Sequence, residues 1–133
     1  LKKQIESFRM QRVERLKNNL VEKAENIAGY TVVKAVIPLD AASAKDLVFK
    51  IREAVPERLV CVIGAEEQGR PSLNIMLSDD MVAAGMNAGK LVREAAKHIK
   101  GGGGGQPHFA QAGGKDASGL LQAVNAVVDL IKG

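Results

Sequence analysis

The sequence predicts an α/β domain: a small mixed sheet covered by helices and preceded by a long N-terminal amphipathic helix. Three observations predict it. β-Branched runs alternate along the chain with segments whose apolar residues recur every three or four positions, so strands and helices interleave. Leu59-Val60-Cys61-Val62-Ile63-Gly64-Ala65 is continuously apolar, as in a strand buried on both faces. The first 27 residues place Leu1, Ile5, Phe8, Leu16, Leu20, Ala24 and Ile27 at helical spacing, with Val13 off the series. Gly29 would stop that helix.

The remaining elements follow in order. Thr31–Ile37 reads as a strand closed by Pro38. Ser43 with Asp46 resembles a capping box for a helix carrying Ala44, Leu47, Val48, Ile51 and Val55 inward and halting at Pro56. Residues 66–70 form a turn between the buried strand and a return strand, Leu73–Leu77. Ser78-Asp79-Asp80 caps a short helical turn, and a clearer helix begins near Asn87 with Leu91, Val92, Ala95, Ala96 and Ile99 as its stripe. A short strand is expected over 109–112. A final helix is capped by Asp116 or Ser118 and turns Leu120, Leu121, Val124, Val127, Val128 and Ile131 inward.

Between the last two helices lies the stretch on which function centres: Lys100, then Gly101, Gly102, Gly103, Gly104 and Gly105, then Gln106-Pro107-His108-Phe109-Ala110-Gln111-Ala112-Gly113-Gly114-Lys115. Glycine loses more backbone entropy on ordering than any other residue, so five in a row are expected as a loop whose free N–H groups hold an anion. Lys90, Arg93, Lys97 and Lys100 recur at steps of three, four and three, one basic helix face leading into the glycines. With Lys115 they stand against Glu94 alone between residues 90 and 115, although the net charge of the 133-residue chain is only +4. Such a concentration suits an anionic partner.

Other chemistries fit poorly. No G-x-G-x-x-G follows a strand, and Lys115 precedes Asp116 rather than the Ser or Thr of a phosphate-binding loop. His98 and His108 have no carboxylate or thiol at metal-ligand spacing; His98 reads as a helix-boundary residue, and His108 as either a ligand contact or a structural residue. Glu66-Glu67 and Asp79-Asp80 sit in turns, where capping accounts for them. The single cysteine, Cys61, reads as a buried small hydrophobe, consistent with a reducing, cytoplasmic setting. Three Phe, one Tyr and no Trp argue against a surface of many stacked bases. No apolar run approaches the roughly 18 residues of a membrane span, no signal peptide is evident, and no membrane or DNA partner is expected. A chain beginning at Leu1 reads as a piece of something longer.

The run from Gly101 to Lys115, with its A-Q-A-G-G tail at Ala110–Gly114, resembles the C-terminal glycine motif of alanyl-tRNA synthetases. That domain is of the DHH-associated type, also found in a class of phosphoesterases. The family pattern usually has Arg where Gln106 stands. The resemblance implies a tRNA-binding domain over 29–133 that contacts the outer corner of the tRNA and coordinates aminoacylation with editing. It implies a linking segment over 1–28 able to support a homodimer. It also implies a parent enzyme, bacterial in type, that attaches alanine to its tRNA with ATP, Mg and Zn bound elsewhere, so that this segment carries no catalytic residue, metal or cofactor. The RNA-binding residues it suggests are Lys90, Arg93, Lys97, Lys100, Gly101–Gly105, Gln106, His108 and Lys115. Two alternatives stay open: the substrate-recognition part of a DHH-family phosphoesterase, and an oligomerisation module.

Overall fold

The computed structural model describes residues 2–132, with side chains from Phe8 onward. Leu1 and the side chain of Ile5 therefore lie outside the described residues. A six-stranded mixed sheet in the order β1-β2-β3-β4-β6-β5 is sandwiched between helices. Its elements are α1 (Lys2–Glu22), β1 (Glu25–Ile27), β2 (Tyr30–Ile37), α2 (Ala41–Ala54), β3 (Leu59–Glu67) and β4 (Arg70–Leu77), followed by α3 (Asp79–Ala83), α4 (Ala88–Ala96), β5 (Gly102–Gly105), β6 (Phe109–Gly113) and α5 (Leu120–Lys132). Only β2 and β3 run parallel, joined by the crossover helix α2; every other pair is antiparallel.

The period-two alternation of β2, β3 and β4 divides the core. Val33, Cys61, Ile63 and Met76 face α1 and α2, while Val32, Val60, Val62, Leu73 and Ile75 face α4 and α5. β3 is buried from Leu59 to Ala65, as its unbroken apolar run requires. Helix α1 docks on α2 through Val13, through Arg9 to Asp46 (2.7 Å) and through Glu14 to Lys50 (3.3 Å).

Several boundaries differ from the sequence reading. Helix α1 ends at Glu22, not near residue 27, and Ile27 lies in β1. Ala28 and Gly29 both have positive φ (55° and 88°), the signature of a two-residue hairpin turn, so Gly29 serves that turn rather than a helix end. Gln68 and Gly69 do the same between β3 and β4, which run on to Glu67 and start at Arg70. Val13 is fully buried although it breaks the expected stripe, while Phe8 (69% exposed) and Leu121 (63% exposed) face outward. Asp40, not Ser43, caps α2: its carboxylate accepts from the Ser43 N–H at 3.0 Å. Ser43 is buried and accepts from Arg9, and Asp46 is spent on the same arginine.

Candidate nucleic-acid interface

The largest correction concerns the glycines. Gly102–Gly105 form an edge strand rather than a loop, pairing with β6 in the register Gly102↔Gly113, Gly103↔Ala112, Gly104↔Gln111 and Gly105↔Ala110. The bond from the Gln106 N–H to the Phe109 carbonyl (2.8 Å) sets the phase of this ladder. Antiparallel pairs alternate, so Gly102 and Gly104 spend their backbone groups on β6, Gly103 turns its groups to the sheet edge, and those of Gly105 lie against Gly89 of α4. The Gly101 N–H bonds the Ala96 carbonyl at 3.0 Å. The expected cradle of consecutive free N–H groups is therefore absent; an extended ribbon replaces it.

Packing explains three of the five glycines in the run. A Cβ on Gly101 would lie 2.5 Å from the Cα of Gly114, on Gly103 2.5 Å from the Cα of Ala112, and on Gly105 2.6 Å from the Phe109 oxygen. Real side chains essentially never come so close, so these three positions admit only glycine. Gly89 lets α4 approach from the other side, its missing Cβ facing the Gly105 oxygen at 3.6 Å. Gly102 and Gly113 differ: a Cβ there would meet nothing within 4 Å. At Gly104 it would meet only the end of Arg93, at 3.7 Å. None of these three has positive φ.

The basic residues gather at the N-terminal end of this ribbon and along α4. Asn87 starts α4, its side chain accepting from the Lys90 N–H at 3.1 Å. Lys90 and Arg93 are exposed on the helix, and the Arg93 guanidinium reaches Gly104. The regular helix ends at Ala96. Lys97 belongs to a 3-10 turn, Lys97–Ile99, and Lys100 stands beyond it in the left-handed conformation (φ 53°), so the expected single helical face is broken before its last member. Lys97 is paired with Glu94 at 3.1 Å, whereas Lys90, Arg93, Lys100 and Lys115 make no salt bridge among the described residues. Ser118 beside Asp116 chiefly, and the charge of Lys100 as well, hold the Asp116 carboxyl below its usual value.

Lys100 occupies a position where a side chain is costly. The Gly101-to-Ala96 bond closes a Schellman-type end, in which the left-handed residue is usually glycine. Glycine follows immediately, yet lysine sits in the strained position. Gln106 and Pro107 form the exposed β5–β6 turn, and the Pro107 carbonyl accepts from Ala88 N–H at 2.8 Å, tying that turn to the start of α4. His108 is half-buried, its carbonyl accepting from Leu77 N–H at 2.7 Å. Gln106 and His108 thus lie at the opposite end of the ribbon from Lys100 and Lys115. His98 is exposed in the 3-10 turn.

The fold adds residues that charge counting had passed over. On the α2 side, Phe109 packs against Phe49 (centroids 5.1 Å apart), and the Lys45 ammonium lies 5.9 Å from the Phe109 ring centre. Gln111 is half-buried beside them. Their signal in the sequence was the alternation of β6, where Ala110 and Ala112 are buried toward α4 and the odd positions face the other way. Among the described residues no helix is long and apolar enough to cross a membrane.

Comparison with known proteins places this geometry in a family. Residues 28–133 match the family model described as the DHHA1 domain. Over 130 residues the chain is 46% identical to the alanine–tRNA ligase of Bacteroides thetaiotaomicron, an alignment covering 98% of this chain and 15% of that protein. The chain thus spans about 15% of the length of the curated relatives it matches. Its structure superposes on the C-Ala domain of Aquifex aeolicus alanyl-tRNA synthetase with a TM-score of 0.75 and 26% identity, covering 83% of this chain and 98% of that one. RecJ of Thermus thermophilus shares the fold alone, with a TM-score of 0.59 at 13% identity over 93% of this chain and 18% of that one. With a family model covering most of its length and the fold to match, the chain belongs to the DHHA1 domain family.

Proposed function

We propose that this chain is the tRNA-binding C-terminal domain of a bacterial alanine–tRNA ligase, and that it binds the outer corner of the tRNA and keeps it in place while aminoacylation and editing proceed elsewhere in the parent protein. The observation that carries the reading is Lys100: a cation held in the left-handed conformation at the root of a ribbon without side chains. Retaining a non-glycine residue there costs about 1–2 kcal/mol, and strain of this kind accumulates at working sites. The similarity to alanine–tRNA ligases over nearly the whole chain supports the choice of tRNA. Alanine ligation with ATP and Mg, editing with Zn, and a cytoplasmic location belong to the parent protein in this reading.

Arg93, Lys100 and Lys115 supply charge to phosphates, with Lys90 further along α4 and Lys97 shared with Glu94. The outward N–H group of Gly103, with Gln106 and His108 beyond it, follows the strand. A-form RNA is recognised largely through shape and backbone in this way. The test is fluorescence anisotropy at fixed moderate salt against full-length tRNA for alanine, its acceptor-stem minihelix and an unrelated duplex. Preference for the full tRNA is expected. Equal weak binding to all three would refute the reading.

The outward Phe8 favours an addition to it: a homodimer through residues 1–28. Light scattering should then give a dimer for the chain and a monomer for Phe8→Ser; a monomer in both removes the dimer.

A further inference from the structure

We propose that Ser72, Asn74 and Gln111, with the side-chain-free ribbon beside them, form a subsite for a ribose 2′-hydroxyl, in which the Gln111 Oε1 accepts the hydroxyl proton. This rests on the tRNA-binding reading and deepens it.

The hydrogen-bond network fixes which way each amide points. Asn74 is fully buried on β4, and the Ile63 carbonyl beside it can only accept, so the Asn74 Nδ2 faces it at 3.2 Å. The same Nδ2 donates to Ser72 Oγ at 3.5 Å. Asn74 Oδ1 is left facing Gln111, which must then present Nε2, at 2.6 Å. That Nε2 also donates to the Ala41 carbonyl at 3.2 Å, an interaction its oxygen could not make. Gln111 is thereby held at both donors, and its Oε1 has no partner among the described residues. Ser72 shows the complementary feature. It is only 8% exposed, its oxygen already accepts from Asn74, and its proton has no acceptor among the described residues.

Ser72 lines a cavity of about 290 Å³ with Ala41, Glu67, Gln68, Arg70 and Gly113. The register puts Ser72 opposite Gly113, which stands opposite Gly102, and Gln111 opposite Gly104. Among the described glycines, these three are the ones whose place neither packing nor positive φ reserves for glycine, with only the end of Arg93 near Gly104. A position that would accept a Cβ, yet lacks one beside an unspent acceptor and an unspent donor, leaves room for something from outside.

The chemistry selects a hydroxyl. A phosphate only accepts, so the Gln111 oxygen, itself an acceptor, would have nothing to take from it, whereas a hydroxyl offers a proton. A 2′-hydroxyl both donates and accepts, matching Gln111 Oε1 and the Ser72 proton, and it is the group that separates RNA from DNA. Arg70 also lines the cavity, beside Glu67, and can serve a phosphate adjoining the sugar.

The experiment is analogue interference. Full-length tRNA for alanine is made with sparse 2′-deoxynucleotides, and the fractions bound and not bound by the chain are compared position by position, with the wild type and with Gln111→Met and Gly113→Ala. For the wild type, one or a few positions should be depleted from the bound fraction roughly 3- to 10-fold, the weight of one hydrogen bond. Both variants should erase that depletion while binding unsubstituted tRNA more weakly. The Gly113→Ala variant should unfold at or slightly above the wild-type urea midpoint, as expected where the backbone already suits alanine, which separates lost binding from lost structure. Depletion unchanged in both variants overturns the subsite, as does tRNA binding by the wild type with no depletion anywhere. Weaker binding by the variants with the depletion intact points to a base amino group and overturns the sugar assignment. If the wild type does not bind tRNA at all, the function reading itself falls and the subsite with it.

Discussion

A single methyl group added at two neighbouring glycines should have opposite effects. In Gly103→Ala the new carbon would sit 2.5 Å from the Cα of Ala112 and 2.7 Å from its Cβ, so β5 must move away from β6. Overpacking of this kind costs about 1–3 kcal/mol. In Gly102→Ala the methyl meets nothing within 4 Å. Replacing glycine where the backbone already suits alanine stabilises by about 0.4–1 kcal/mol, because the unfolded chain loses freedom. The two variants should therefore differ by about 1.4–4 kcal/mol. With a urea slope of about 2 kcal/mol/M, that gap separates their unfolding midpoints by about 0.7–2 M, with the wild type between them and nearer Gly102→Ala. Coincident midpoints would refute the reasoning: β5 would not be held against β6, and packing would not explain why alternate positions must be glycine.

Four other outcomes are expected. Lys100→Gly should raise stability by about 1 kcal/mol, by relieving the left-handed conformation, while weakening tRNA binding and reducing the salt slope of log K by about 0.7–0.9; urea unfolding and a salt titration read the two effects separately. Asp40→Ala should cost about 1 kcal/mol at neutral pH by uncapping α2, and Asp40→Asn should restore most of it. Burial pushes the Asp40 carboxyl up, but the bonds from Ser43 outweigh it and leave the group below its usual value; the ionised cap's contribution is then full above about pH 4 and fades as acid protonates the folded state, so urea midpoints of Asp40→Ala and wild type should converge there. Cys61, the only thiol, is fully buried and its ionisation is suppressed by that burial. A disulfide reagent should thus label the chain only at the rate of opening, and rapid stoichiometric labelling of the native protein would contradict the packing of β3.

The core was legible in the sequence wherever side chains decide the structure. The unbroken run from Leu59 to Ala65 could only be a strand covered twice, and the stripe of Val92, Ala95, Ala96 and Ile99 could only face a core. What escaped was decided by backbone. Ala28 does not look like a turn residue, so the small hairpin it makes with Gly29 was absorbed into the first helix. The glycine run is poor strand material by propensity; it becomes a strand because β6 offers a ladder and α4, through Gly89, offers a close wall. The basic residues were visible as charge, but Glu94 beside Lys97 and the break of the helix after Ala96 were matters of geometry. Gln111 lay in view within the A-Q-A-G-G motif, and its orientation depended on Asn74, 37 positions away in sequence.

The order of the strands also has a consequence in time. β5 precedes β6 in the chain, yet its sole partner in the sheet is β6, which docks in turn on β4. As the chain emerges from its N-terminus, Gly102–Gly105 must wait without a mate until Phe109–Gly113 has been made and has taken its place. A waiting strand of valine or isoleucine would present a sticky edge to any passing chain. Glycine has no side chain with which to commit itself to a wrong neighbour, so the last strand to be fixed is also the one least able to misassemble while it waits.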